Sequence, residues 1–161
     1  MEALIKGAQP VEPPRGMYHA KVDDKGRVKM PTDFQRYFGE LGEGKFFVTS
    51  LDRRIGQVYP LSVWRGNEEF FASQRADPKK MRRVAFNAND LGGEAEFDGQ
   101  GRLLFPAEMR RELGIENQAI RLYFFKRRVE VLSDKLYEEQ KREGQQTAPE
   151  DVVELESAGL Q

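Results

Sequence analysis

Asp23-Asp24-Lys25-Gly26-Arg27-Val28-Lys29-Met30-Pro31 and Asp98-Gly99-Gln100-Gly101-Arg102-Leu103-Leu104-Phe105-Pro106 are two versions of one phrase, 75 residues apart. The correspondence continues past the proline, where Phe34 and Phe38 fall on Met109 and Leu113, and Gly39 on Gly114. An internal repeat decides the architecture before any other signal. Here it means two copies of one small unit, each with an arginine just after a tight turn. An Asp three residues before a Gly suits a type I turn whose last position is left-handed. Gly26 and Gly101 can take positive φ without a Cβ clash and close a hairpin through a bulge. The Asp23 and Asp98 carboxylates can accept from backbone N–H groups inside their turns.

The flanks are strand-like. Tyr18, Ala20 and Val22 alternate before the first turn and Val28 and Met30 after it, the period of half-buried strands. Pro31 and Pro106 are expected to open short helices at the first helical position. Phe34/Phe38 and Met109/Leu113 share a helical face, and Gly39 and Gly114 suit the position just past a helix end. Phe46–Thr49 and Gln57–Tyr59 read as the later strands of the first copy, and Ile120–Phe125 and Val129–Leu132 as those of the second. Between the copies, Ser62 is expected to cap a helix carrying Trp64, Phe70 and Phe71. Asp77-Pro78 is expected to open another, with Lys79, Lys80, Arg82 and Arg83 between Met81, Val84 and Ala85.

The doubled pattern Asp-x-x-Gly-Arg-apolar-x-apolar-Pro resembles the MraZ family, within the wider group of AbrB-like swapped-hairpin proteins. Arg15-Gly16-Met17-Tyr18, Tyr59-Pro60-Leu61-Ser62-Val63-Trp64 and Gly93-Glu94-Ala95-Glu96-Phe97 also resemble that family, so the likeness covers roughly residues 15–140. Residues 1–14 extend before the family's usual start, and Arg65 stands where the family often has an acidic residue. The resemblance implies an α+β fold: two tandem swapped-hairpin β-barrel units about a pseudo-twofold, with helices around them. The expected division is a flexible arm over 1–16, repeat one over 17–60, connecting helices over 61–91 and repeat two over 92–135. A C-terminal helix and an acidic disordered tail complete it over 136–161. The resemblance also implies a transcriptional regulator that binds short direct repeats in double-stranded DNA, upstream of the division and cell-wall gene cluster, usually its own operon. It implies a ring of identical subunits with the hairpins exposed. The DNA-binding residues would be Arg27 and Arg102, together with Asp23, Asp98, Lys25, Gly26 and Gly101 of the same turns.

Composition bounds the alternatives. One copy of some forty residues is too small to fold alone without disulfides, metal or oligomerisation. The chain of 161 residues contains no cysteine, so the copies are expected to pack on each other, on neighbouring chains, or both. With no membrane-length apolar run and no signal-peptide core at the N-terminus, the expected compartment is the cytoplasm, and the resemblance implies association with the nucleoid. The net charge of −1 conceals an uneven distribution, because residues 138–161 carry −5 and the rest +4. A basic body permits nucleic-acid binding without establishing it. His19 is the sole histidine and the chain has no thiol, so no metal ligand set is expected. No cofactor, small-molecule substrate or enzymatic activity is expected, since neither a phosphate-binding glycine loop nor a nucleophile–base set is visible.

Each signal has a plainer reading. Arg27 and Arg102 can simply pair with Asp23 and Asp98 as surface ion pairs, worth about 0–1 kcal/mol each. That reading explains neither the repetition nor the choice of Arg, whose planar fork suits phosphates and guanine edges. Lys79–Arg83, Arg53-Arg54 and Lys126-Arg127-Arg128 are basic runs that fit solvated faces and charged turns, or additional phosphate contacts. The paired phenylalanines fit core or subunit contact. Two rival functions remain: a ring-forming protein scaffold indifferent to DNA, and an AbrB-like antitoxin whose tail wraps a toxin.

Overall fold

The alternating apolar residues before and after each turn do form strands, but the strands pair mostly across the repeats. The computed structural model of the chain describes residues 10–161. It is a mixed α+β fold with eight strands and five helices among those residues. In the first copy, β1 (Tyr18–Lys21) and β2 (Arg27–Lys29) flank the first turn, followed by α1 (Thr32–Glu40), β3 (Lys45–Thr49) and β4 (Gly56–Pro60). Helices α2 (Leu61–Phe71) and α3 (Pro78–Leu91) connect to the second copy. There β5 (Gly93–Glu96), β6 (Arg102–Leu104), α4 (Ala107–Leu113), β7 (Ala119–Phe125) and β8 (Arg128–Ser133) repeat the order. A long helix, α5 (Asp134–Ala158), ends the chain.

All strand pairs are antiparallel, in a six-stranded sheet ordered β1-β7-β8-β4-β3-β5 and a two-stranded ribbon of β2 and β6. The hairpin expected between β1 and β2 is reduced to a single Val22–Val28 bridge. At that point β1 leaves to pair with β7 of the other copy, and β2 pairs with β6. The registers are symmetric in the repeat. Val28 faces Leu103, its own equivalent, at the centre of the ribbon. Tyr18 faces Leu122, and correspondingly Gly93 faces Val48. The six-stranded sheet is open, with β1 and β5 at its edges, so strand pairing does not close the expected barrel.

Packing explains why three-residue strands persist. A two-stranded ribbon is marginal in water by itself. Val28 and Leu103 are fully buried beneath it, in a core with Val22, Met30, Phe34 and Phe38 of one copy and Phe105 and Met109 of the other. A second cluster seats Trp64 of α2 against Tyr59 and Ala88, with Phe47 stacked on it at 4.6 Å. The paired phenylalanines therefore divide, with Phe46 fully buried and Phe125 at the surface.

Several local expectations shift. Pro31 and Pro106 stand one residue before their helices, at the cap position, with extended ψ. Gly114 is the left-handed cap of α4, but Gly39 lies inside α1, and Gly42 takes the positive φ two residues past that helix. Ser62 does not cap α2, which starts at Leu61; its hydroxyl donates to Glu43 at 2.5 Å instead. Asp77 caps α3 as expected, accepting from the Lys79 N–H.

The C-terminal segment departs most from expectation. The part of 136–161 expected as an acidic disordered tail continues α5 as helix through Ala158. The Ser133 hydroxyl caps its start, accepting from the Leu136 N–H. Leu136 is its one buried residue; Glu139 reaches Arg54 at 2.8 Å, and the Arg121 guanidinium lies 3.9 Å from the Tyr137 ring centre. Beyond that anchored part the helix rests on propensity, since Glu, Gln, Ala and Leu are good helix formers. Pro149 falls inside α5 and is followed by Glu150 and Asp151, the composition of a helix first turn. Of the arm expected over 1–16, residues 1–9 lie outside the described residues, and 10–16 form neither helix nor strand. Among the described residues no helix is long and apolar enough to cross a membrane.

Candidate nucleic-acid interface

The two turns are built alike, atom for atom. In the first, Asp23 Oδ1 accepts from the backbone N–H of Lys25 at 2.9 Å and of Arg27 at 2.8 Å, while Oδ2 accepts from Arg27 Nε at 2.9 Å. In the second, Asp98 Oδ1 accepts from Gln100 and Arg102 N–H, both at 2.9 Å, and Oδ2 from Arg102 Nε at 2.7 Å. The Gly26 and Gly101 N–H groups close the turns onto the Asp23 and Asp98 carbonyls, each at 3.0 Å. Both glycines have positive φ, 84° and 76°.

Each glycine also lies against the end of a long side chain from the opposite copy. A Cβ on Gly26 would collide with the Arg110 guanidinium, and one on Gly101 with the Gln35 amide. Arg110 and Gln35 are repeat equivalents, and each leans on the turn of the opposite copy. Gln35 Nε2 donates to the Met30 carbonyl at 2.7 Å, and Arg110 Nη1 makes the equivalent bond to the Phe105 carbonyl. The backbones cross as well: Phe105 N–H donates to the Gly26 carbonyl at 2.9 Å, and Met30 N–H to the Gly101 carbonyl at 3.1 Å. The turns are thus fixed both from within and from the other repeat.

The electrostatics follow from this bracing. The backbone N–H of Arg102 above all, then the Arg102 side chain and the Gln100 N–H, hold the Asp98 carboxyl down to about 2. Asp23 is lowered in the same way, chiefly by the Arg27 N–H. Both carboxylates are charged at neutral pH and grip Nε only. Among the described residues no protein acceptor takes the Nη hydrogens of Arg27 or Arg102. Two preorganised guanidinium forks therefore remain available to an external acceptor, and Lys25 is exposed beside the first.

No family model matches the chain. It is 34% identical over 107 residues to the transcriptional regulator MraZ of Acidobacterium capsulatum, covering 66% of this chain and 73% of that protein. It is 36% identical over 126 residues to the transcriptional regulator MraZ of Caldanaerobacter subterraneus subsp. tengcongensis, covering 77% and 83%. With the transcriptional regulator MraZ of Moorella thermoacetica it shares 35% over 132 residues, covering 80% and 86%. The chain belongs to the MraZ family.

In this MraZ-family chain the other basic runs are not equivalent to the turns. Arg53 is committed to the fold, bonding Asn87 at 2.6 Å, Asp90 at 2.8 Å and Glu112 at 3.3 Å. It ties the β3–β4 turn to α3 and α4, and Arg54 ties it to α5 through Glu139. Arg128 pairs with the buried Glu130 at 2.7 Å and opens β8, so the turn there is Lys126-Arg127, both with positive φ. Lys79, Lys80, Arg82 and Arg83 are exposed on α3 around the buried Met81. Sequence reasoning passed over Lys29 and Leu104, both exposed on the ribbon beside the arginines. The strand register was the signal needed to find them, and it depends on the pairing between copies.

Proposed function

We propose that this chain is a transcriptional regulator that binds double-stranded DNA in a sequence-specific way through the β2–β6 ribbon and its two turns. The observation that carries the reading is the doubled clamp: Asp23 and Asp98 each hold an Arg Nε and leave the outer edge of the guanidinium to a ligand. A two-stranded ribbon fits the major groove, where an Arg fork reads the paired acceptors of guanine or grips phosphate. The relatives' shared name, transcriptional regulator, supports the same role. The symmetric strand registers support reading the fold as two tandem swapped-hairpin units, 17–60 and 92–135, about a pseudo-twofold.

The target in this reading is a set of direct repeats upstream of the division and cell-wall gene cluster, usually the protein's own operon. The protein acts in the cytoplasm, on the nucleoid, as a ring-like homo-oligomer that sets several ribbons on successive repeats. Each contact is then weak, while the linked set gains avidity. The reading assigns no catalysis and no cofactor.

The test is a gel-shift titration on the DNA upstream of the chain's own gene, with scrambled competitor. Arg27→Ala and Arg102→Ala should fold and melt nearly as wild type, because the ion pairs with Asp23 and Asp98, a quarter to a third exposed, lie at the surface and contribute little to stability. Each should lose about 1–3 kcal/mol of binding per base contact and some selectivity. If the contact is to phosphate alone, the loss should be uniform across sequences, and the salt slope should shrink by about one unit. Lys at either position should restore little. A double Arg variant that binds the upstream DNA as tightly as wild type would transfer the reading to a protein-binding scaffold.

A further inference from the structure

The β2–β6 ribbon turns four side chains outward. Val28 and Leu103 point into the core with no exposure, so Arg27, Lys29, Arg102 and Leu104 share the outer face. Arg27 stands directly opposite Leu104, and Lys29 directly opposite Arg102. Exchanging the repeats maps Arg27 onto Arg102, like for like. It maps Lys29 onto Leu104, a cation onto a hydrocarbon. The face is symmetric along one diagonal and broken along the other.

Leu104 is 56% exposed. A single exposed leucine is ordinary on a protein surface. This one occupies one corner of a four-residue face whose other three side chains are cations, with Arg27 as its cross-strand neighbour. If that face only gripped phosphates, Leu104 would be its one side chain without an attractive partner. In the major groove it has one, because thymine presents a C5-methyl group there and no other base does.

We propose that Lys29 and Leu104 set the specificity and the direction of the ribbon on DNA: Leu104 packs on a thymine methyl, while Lys29 takes a hydrogen-bond acceptor at the symmetry-related step. Two identical arginines alone would read a site equally well in either orientation. The Lys29/Leu104 difference favours one orientation, so each ribbon selects a non-palindromic element. This rests on the DNA reading above and adds to it a named base feature and a polarity. Burial of one methyl-sized group corresponds to about a fourfold gain in affinity.

The experiment uses the full-length protein and a library of duplexes with a randomised centre. Wild type is expected to enrich an asymmetric element. Replacing thymine by uracil at single positions, which removes only the methyl, should weaken wild-type binding about fourfold at one step per element. Leu104→Ala should bind the thymine duplex about fourfold less tightly and be insensitive to that replacement. Leu104→Lys, which makes the outer face symmetric, should shift enrichment towards inverted-repeat centres. A defined element with no uracil-sensitive position, or with equal sensitivity in wild type and Leu104→Ala, overturns this inference and leaves the DNA reading standing. No enriched element at all overturns both.

Discussion

At the scale of single residues, the turns owe their shape to three groups acting together: an acceptor, a residue without a side chain, and a long donor. Gly26 and Gly101 combine positive φ with contact from the opposite copy. Gly26→Val or Gly101→Val should therefore cost about 1–3 kcal/mol in denaturant unfolding, and variants as stable as wild type would contradict the turn geometry. The acid side offers a second check. The Asp98 carboxyl is held from its ordinary 3.8 down to about 2, so its stabilisation is complete above the ordinary value and lost as pH falls towards the lower one. The stability gap between wild type and Asp98→Asn should accordingly narrow between about pH 4 and pH 2. A gap in urea midpoint that stays constant across that range would show that the clamp does not titrate with folding.

At the scale of elements, α5 has an anchored beginning and an exposed remainder. Leu136, 6% exposed, packs on the body, while Val153 and Leu155 are more than half exposed. Leu136→Ala should cost about 2–5 kcal/mol, the range for truncating a buried leucine. Deleting residues 144–161 should leave the melting temperature of the body unchanged and lower only the helical circular-dichroism signal. The deletion also removes part of the acidic end of the chain. It should slightly tighten non-specific DNA binding at low salt, and added salt should erase the difference. A fall in melting temperature on deletion would mean that the outer part of α5 packs on something.

At the scale of the whole molecule, neither repeat can satisfy its own strands. Strands β1, β2 and β3 of the first copy find partners in β7, β6 and β5 of the second. An isolated half leaves those edges unpaired and the shared core cut open. Residues 1–75 and 76–161, produced separately, should each lack a folded monomer, and mixing should restore cooperative unfolding and native circular dichroism. A concentration-independent cooperative transition in residues 1–75 alone would show that the repeat is self-sufficient. The pairings also span long stretches of sequence, so folding should be slow for a chain of this size, since loop closure precedes the contacts that reward it.

The sequence by itself determined whatever depends on neighbours along the chain. The Asp23–Arg27 and Asp98–Arg102 turns, the helices after Pro31 and Pro106, the Asp77 cap and the periodicity of Phe34 and Phe38 all follow from local sterics and hydrogen bonding. The MraZ likeness followed from the same repeated residues. Only the tertiary structure decided which strand lies beside which, because alternation marks a buried face but names no partner. That pairing placed Arg110 on Gly26 and Gln35 on Gly101. It put Lys29 and Leu104 on one face with both arginines, and it engaged Arg53 and Arg54 in bracing the fold. The helical tail went unread for a different reason. Its polarity says that it builds no core, while its Glu, Gln, Ala and Leu favour helix without one, and polarity alone does not separate the two outcomes.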